Sequence, residues 1–285
     1  MRILAPTIER RSHHAAMRMP RLARTVALAV ILGIGIVNLY WAVTQWSLSD
    51  AAAYWNAAMR LREGGELYPA LSDVDASEVY RYAPWFAWLA VPFTFLPVAV
   101  AGAVWSLILL VGSGLALVPL VRTRAWVAVA FFAPILVGIS AVGNVQPLLI
   151  APLAWSIGRR SGPIWIGVAA SLKVFPVLFA LVYLGRGQWL RAFGAVAVTV
   201  VLWAPALLYD LRGYATEAGQ AASLISVPVL WAVVVGAAIG VTLRLARGPF
   251  GWLAAAVSVV LALPRLFVYD VTYLMVGAPA DDGRG

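Results

Sequence analysis

Of 285 residues, 63% are hydrophobic and 12% charged, and the mean hydropathy is +0.89; soluble domains carry about 25% charged residues, which excludes water as the main solvent of this chain. Cysteine is absent and the only histidines are His13 and His14, so a disulfide framework, a cysteine metal site, and a His-ligated metal or Ser/His/Asp triad in the body are excluded. The net charge of +9 argues for a membrane rather than nucleic acid, because Arg2, Arg10, Arg11, Arg18, Arg21 and Arg24 form a basic tail, 1–24, of the kind retained in the cytoplasm.

The first apolar run, 25–46, is long enough to cross a bilayer and ends in Trp41 and Trp46, at the depth of an interfacial aromatic belt. It lacks a small-residue cleavage site and reads as a signal anchor. Residues 47–83 then form the first extracytoplasmic loop, which holds Asp50, Glu63, Glu66, Asp73, Asp75 and Glu78, half of the twelve acids in the chain. Apolar pieces follow at 84–96, 97–121, 126–142, 146–157, 164–172, 175–184, 190–208, 227–245, 251–263 and 266–276. Backbone polar groups in hydrocarbon must be paired internally, and long unbroken runs do not alternate as barrel strands do. The fold class is all-α and polytopic, with roughly 8–10 transmembrane or half-spanning helices over 25–277; residues 278–285 make a polar tail.

Several pieces are shorter than a bilayer is thick. Counting each as a crossing scatters Arg122/Arg124, Arg159/Arg160, Arg186/Arg191 and Arg244/Arg247 over both sides. All four pairs become cytoplasmic if 143–147 and 173–176 are the outward tips of half-length helix pairs, an arrangement tolerated where backbone lines a protein-buried cavity.

Within the first loop, Asn56, Arg60 and Glu63 share one helical face, with Ala51, Trp55, Ala58 and Met59 towards the other. The pattern predicts a short amphipathic helix on the membrane, capped by Ser47 or Ser49 and ended by Gly64-Gly65. Asp50 falls in its first turn, where the dipole favours a carboxylate; it is read either as a helix-start residue or as a base. Lys173 is the only lysine in the chain and interrupts an apolar segment, at a cost of about 2.5–3.5 kcal/mol on insertion scales. It is a functional candidate or a snorkelling residue. Asn144 and Gln146 either orient substrate hydroxyls or pair freed helix ends. Arg81 is a phosphate ligand or a loop arginine, and Arg265, Tyr269 and Asp270 make a late polar group that an Arg–Asp pair explains as well as a site does.

Three motifs in order, Asp50-x-x-x-Tyr54, Gly64-Gly65-x-Leu67-Tyr68 and Tyr80-Arg81-Tyr82-x-Pro84, followed by Gly143-Asn144-Val145-Gln146 and Lys173-Val174-Phe175-Pro176, resemble glycosyltransferase family 87. These are polyprenol-phosphate-mannose-dependent mannosyltransferases of the GT-C superfamily. The resemblance covers about 26–183. It implies a multi-pass cell-membrane enzyme that takes a hexose, mannose foremost, from a polyprenyl-phosphate-sugar donor and delivers it to an extracytoplasmic glycolipid or glycan, with no cofactor and no nucleotide sugar. It also implies Asp50 as the catalytic base, Lys173 and Arg81 at the donor phosphate, and Tyr54, Tyr82, Asn144 and Gln146 at substrate; no metal ligands are assigned. A transporter or flippase-like carrier of a lipid-linked substrate, or a non-catalytic membrane subunit on the same scaffold, would use broken helices and a buried lysine too.

Overall fold

A computed structural model describes residues 21–70, 79–214 and 223–277. Among them every regular element is helical: α1 Arg21–Thr44, α2 Ser49–Glu63, α3 Pro84–Ala90, α4 Val98–Arg122, α5 Trp126–Ala141, α6 Gln146–Ser156, α7 Gly162–Leu172, α8 Ala180–Gly185, α9 Trp189–Trp203, α10 Pro228–Leu245, α11 Gly251–Ala262 and α12 Leu274–Gly277. Short 3-10 turns, Val91–Phe95, Phe175–Phe179, Ala204–Leu208, Leu224–Ser226 and Val268–Tyr273, join or extend them. Among the described residues four segments are long and apolar enough to cross a membrane: Thr25–Thr44, Val98–Arg122, Trp189–Leu208 and Pro228–Leu245.

Length sorts these helices into two layers. At 1.5 Å per residue, a 25-residue helix such as α4 reaches about 37 Å and exceeds the roughly 30 Å of bilayer hydrocarbon. The 11-residue helices α6 and α7 reach about 16 Å and cannot. The long helices accordingly stand outside, with Val30 and Ile36 of α1, Leu107 of α4, Phe193 and Val201 of α9 and Val233 of α10 exposed. The short ones fill the middle, where Leu149, Ile150, Leu153, Ile166, Phe179, Tyr183 and Val259 are buried. Apolar residues facing outwards suit lipid, and the interior is held by close packing. At Gly167, where α7 meets α9, an added Cβ would lie 2.8 Å from the Ala195 carbonyl oxygen.

The arginine-bearing turns gather at one end of the bundle. Arg122 and Arg159 both lie over the Trp155 ring, at 4.8 and 5.9 Å, and Arg191 bonds the Arg159 carbonyl while covering Tyr183 at 4.4 Å. Arg186 donates to the Ala246 carbonyl at 2.7 Å, and Arg247 to that of Gly185 at 3.2 Å. The turns at 143–147 and 173–176 lie at the other ends of the same helices and meet each other through a bond from Lys173 Nζ to Gln146 Oε1, 2.9 Å.

α2 differs from expectation at its start and on its faces. Neither Ser47 nor Ser49 caps it; the cap position is Leu48, in the left-handed region at φ 51°, with no side-chain cap. The N-terminal donors find backbone acceptors instead. Ser47 and Leu48 donate to the Ala141 carbonyl at 3.3 and 3.1 Å, and Asp50 N–H to that of Val142 at 2.8 Å. The carbonyl end of α5 thus takes one N–H of the first turn of α2 and the two just before it. The buried stripe is Ala53, Tyr54, Ala57 and Ala58, packed towards α3 and Val91–Phe95, and rotated from the face that the apolar pattern selects because Trp55 and Met59 stay half-buried. The C-terminus follows the sequence: Gly64 at φ 75° and Gly65 donate to Leu61 and Arg60 carbonyls at 3.3 and 2.7 Å, a Schellman ending.

Candidate functional site

The site begins where α5 turns into α6. Gly143 takes φ +81°, and an added Cβ would lie 2.7 Å from the Ala51 Cβ, so only glycine lets this turn close on α2. Trp105 Nε1 donates to the Gly143 carbonyl at 2.9 Å and Asn144 N–H to that of Ile139 at 3.2 Å. The Asn144 side chain is held at both atoms. Its Oδ1 accepts the Gln146 N–H at 2.9 Å, which turns Nδ2 towards Asp50, where it donates to Oδ2 at 2.6 Å.

From there the row continues. Gln146 donates from Nε2 to Thr272 Oγ1 at 3.1 Å, and its Oε1 accepts from Lys173 Nζ. Lys173 stands just past α7 in extended geometry, φ −136° and ψ 108°, and Pro176 starts a new turn behind it. A cation after a helix C-terminus also meets the negative end of the dipole. Its ammonium ion-pairs with Asp270 Oδ1 at 3.3 Å and sits 4.6 Å above the Tyr269 ring. Asp270 is 1% exposed, and its Oδ2 accepts the Phe267 N–H at 3.0 Å. Five residues from α2, the α5–α6 turn, the α7 break and the Val268–Tyr273 turn therefore form one line, Asp50, Asn144, Gln146, Lys173 and Asp270, joined through side chains except where Asn144 meets the Gln146 backbone N–H.

Two tyrosines flank it. Tyr54 accepts the Val145 N–H at 3.3 Å and donates to the Tyr82 hydroxyl at 3.2 Å, while Tyr68 donates to the Tyr82 carbonyl at 2.8 Å. Burial, then the neighbouring Tyr82 and Asp50, push the Tyr54 hydroxyl well up. Burial also raises Tyr82, against the opposing pull of the Lys173 cation. Both stay protonated at neutral pH and can orient a ligand but not serve as bases. A cavity of about 670 Å³ is lined by Tyr54, Trp46, Trp55, Phe93 and Trp105, with Ser47, Asn56 and Ser106 among otherwise apolar residues.

Of the residues singled out from sequence, Asp50, Tyr54, Tyr82, Asn144, Gln146 and Lys173 are brought together. Asn144 and Gln146 are 2% and 0% exposed, with their side-chain polar atoms bonded within the protein. Arg81 adjoins Tyr82, and its carbonyl accepts from Tyr214 at 3.3 Å. Arg265 lies 5.4 Å from the Phe267 ring centroid, and the ion pair of Asp270 is made with Lys173, not with Arg265. The loop acids Asp73, Asp75 and Glu78, and Glu217, lie outside the described residues. Asp210 is exposed, bound by Arg212 at 2.8 Å through Nε, and its carboxyl is held down to about 2 by those bonds. From sequence Asp270 reads as an Arg265 partner or part of a site, and Thr272 is not singled out, although a lone lysine and an acid in separate apolar stretches are a pairing signal.

Residues 80–268 match glycosyltransferase family 87. No curated protein and no solved structure matches the chain. The match takes in Arg81, Tyr82, Asn144, Gln146 and Lys173. It starts later than the motif resemblance, after Asp50 and Tyr54, and runs on through α9, α10 and α11, where apolar helices offer no polar motif to notice.

Proposed function

The chain belongs to glycosyltransferase family 87 and is a membrane glycosyltransferase; from that premise we propose that it moves a hexose, mannose foremost, from a polyprenyl-phosphate-sugar donor to a glycolipid or glycan. In this reading it is a multi-pass protein of the cell membrane with the GT-C arrangement, and the Asp50 end of the bundle faces outwards. The outward assignment is supported by the basic tail and by the arginine turns clustered at the opposite end.

Asp50 acts as general base. It takes the proton from the attacking acceptor hydroxyl as that oxygen bonds the anomeric carbon; the bond from that carbon to the phosphate oxygen breaks, and the electron pair leaves with polyprenyl monophosphate. Lys173 meets the departing phosphate and compensates its growing charge. Arg81, adjoining Tyr82, is the second cation assigned to the phosphate, and the Tyr54 and Tyr82 hydroxyls orient the sugar. Asn144 and Gln146 hold base and cation in register. The single observation carrying this reading is the unbroken hydrogen-bonded line from the Asp50 carboxylate through Asn144 and Gln146 to the Lys173 ammonium: a base and an anion-stabilising cation at fixed separation are what displacement at an anomeric carbon requires.

The test is turnover without a sealed membrane. Purified protein in detergent, given a polyprenyl phosphomannose and a cell lipid extract, releases polyprenyl monophosphate and a mannosylated product, whose mass identifies the acceptor. Absence of release in detergent, together with movement of the lipid-linked sugar across sealed vesicles, would replace the enzyme with a carrier.

A further inference from the structure

Asp270 takes no part in the reaction drawn above, and it lies beyond the stretch that matches the family. Its carboxylate is enclosed, one oxygen fixed by the Phe267 N–H and the other on the Lys173 ammonium. A buried carboxylate persists as an anion only when paired, and a buried ammonium likewise. Lys173 carries three N–H donors. Gln146 Oε1 and Asp270 Oδ1 account for two of them, one N–H remains beyond these partners, and 17% of the side chain stays open. The Tyr269 ring supports the ammonium from a further side.

We propose that Asp270 is a positioning residue for the donor phosphate: it fixes the Lys173 nitrogen between Gln146 and Tyr269 and keeps it an ammonium, with its remaining N–H presented to the phosphate. This rests on the reading of Lys173 as the phosphate ligand. The titratable groups around Lys173 are Asp270, Tyr269 and Tyr273 from the Val268–Tyr273 turn and Tyr82 from the segment before α3. The tyrosines are neutral, so the compensating charge in contact with Lys173 is that of Asp270. The pair as a whole is neutral. A phosphodiester donor meets little net charge on arrival, while the monoester forming at bond cleavage carries more charge and competes with Asp270 for the ammonium, which favours the transition state over the ground state.

The experiment exploits Lys173 being the only lysine. An acylating ester reacts with neutral amines only, and peptide mass spectrometry separates Lys173 from the N-terminal amine. In mildly alkaline detergent solution the full-length parent labels at Lys173 far more slowly than at its N-terminus. Asp270→Asn labels about tenfold faster or more, the equivalent of one pH unit in proton affinity, and Asp270→Glu behaves like the parent. Short-chain polyprenyl monophosphate slows labelling in each. In the transfer assay Asp270→Asn loses activity as pH rises across a range where the parent is flat. Equal labelling of Asp270→Asn and the parent, with protection by the phospholipid intact, overturns the role of Asp270 alone. Dependence on Asp270 without protection breaks the phosphate reading of Lys173 and leaves a structural ion pair. If Asp270→Asn fails to fold, the parent decides: labelling of Lys173 as fast as the N-terminal amine overturns the proposal.

Discussion

The side-chain nitrogen of Asn144 lies 2.6 Å from Oδ2 of Asp50, so the turn between α5 and α6 holds one oxygen of the only carboxylate at the start of α2 and leaves the other for a ligand. Because Asn144 Oδ1 is itself fixed by the Gln146 N–H, the amide cannot reverse without breaking both bonds.

Asn144→Asp tests that arrangement. It sets a second carboxylate against Asp50, and two carboxylates at such a distance share a proton, with one of them no longer ionised at neutral pH. Transfer falls by about tenfold to a hundredfold, the usual cost of disturbing a residue that orients a reacting group, and part of it returns as pH rises. Asn144→Ala loses the bond without adding charge and shows no such recovery. Initial rates across pH for both variants decide; equal profiles would remove Asn144 from any role in setting the state of Asp50.

Glu63→Cys and Arg160→Cys report opposite ends of the bundle on a background without native cysteine. An impermeant maleimide labels Glu63→Cys in intact cells and Arg160→Cys only after the membrane is opened. The reverse pattern would invert the proposed orientation and put Asp50 in the cytoplasm.

Much of this architecture is legible from the residues alone. The apolar runs mark the helices because hydrocarbon admits little else, and Gly64-Gly65 ends α2 because a left-handed residue is needed there. The start of α2 is not legible, since its acceptors are the Ala141 and Val142 carbonyls, far along the chain. Lys173 announces itself by the cost of a buried charge. Its partner does not: Asp270 and Arg265 are close in sequence and invite pairing, yet packing of the Val268–Tyr273 turn against α5 and α6 delivers Asp270 to Lys173. Asn144 and Gln146 draw attention as polar residues, but only the fold shows their amides spent on Asp50, Thr272 and Lys173.

Lys173→Met separates folding from chemistry. Alone it leaves Asp270 buried without its counter-ion, and breaking one side of such a pair costs about 3–5 kcal/mol, so yield and thermal stability fall. Lys173→Met combined with Asp270→Asn removes both charges and recovers most of that stability. Transfer stays lost in both, because neither has a cation for the phosphate. Recovery of activity in the double variant would show that Lys173 supports the fold only. Lys173→Arg keeps the charge but presents a planar fork in place of a compact ammonium, and donor use falls between the parent and the Met variant.

Asp50→Asn separates a helix-start residue from a base. The structure bears on the first possibility: Asp50 gives its backbone N–H to the Val142 carbonyl, and its side chain accepts from Asn144 rather than capping α2. Asn at position 50 can still present an oxygen to the Asn144 amide and keep the backbone bond, so folding, insertion and donor binding persist. It cannot accept a proton from an attacking hydroxyl. The nearby Tyr54 and Tyr82 hydroxyls stay protonated, the chain has no cysteine, and its histidines belong to the N-terminal tail, so neither tyrosine substitutes and no thiol or imidazole of the body can. Loss of a general base costs on the order of 10²–10⁴ in rate, and transfer by Asp50→Asn falls to about a few per cent of the parent or less. Donor binding, followed by the intrinsic fluorescence of the tryptophans, stays within about threefold, as expected when only transition-state proton transfer is removed. Near-parental turnover would sink the assignment and pass the role to another loop acid, Glu78 or Asp75, each testable by the same Asn or Gln replacement.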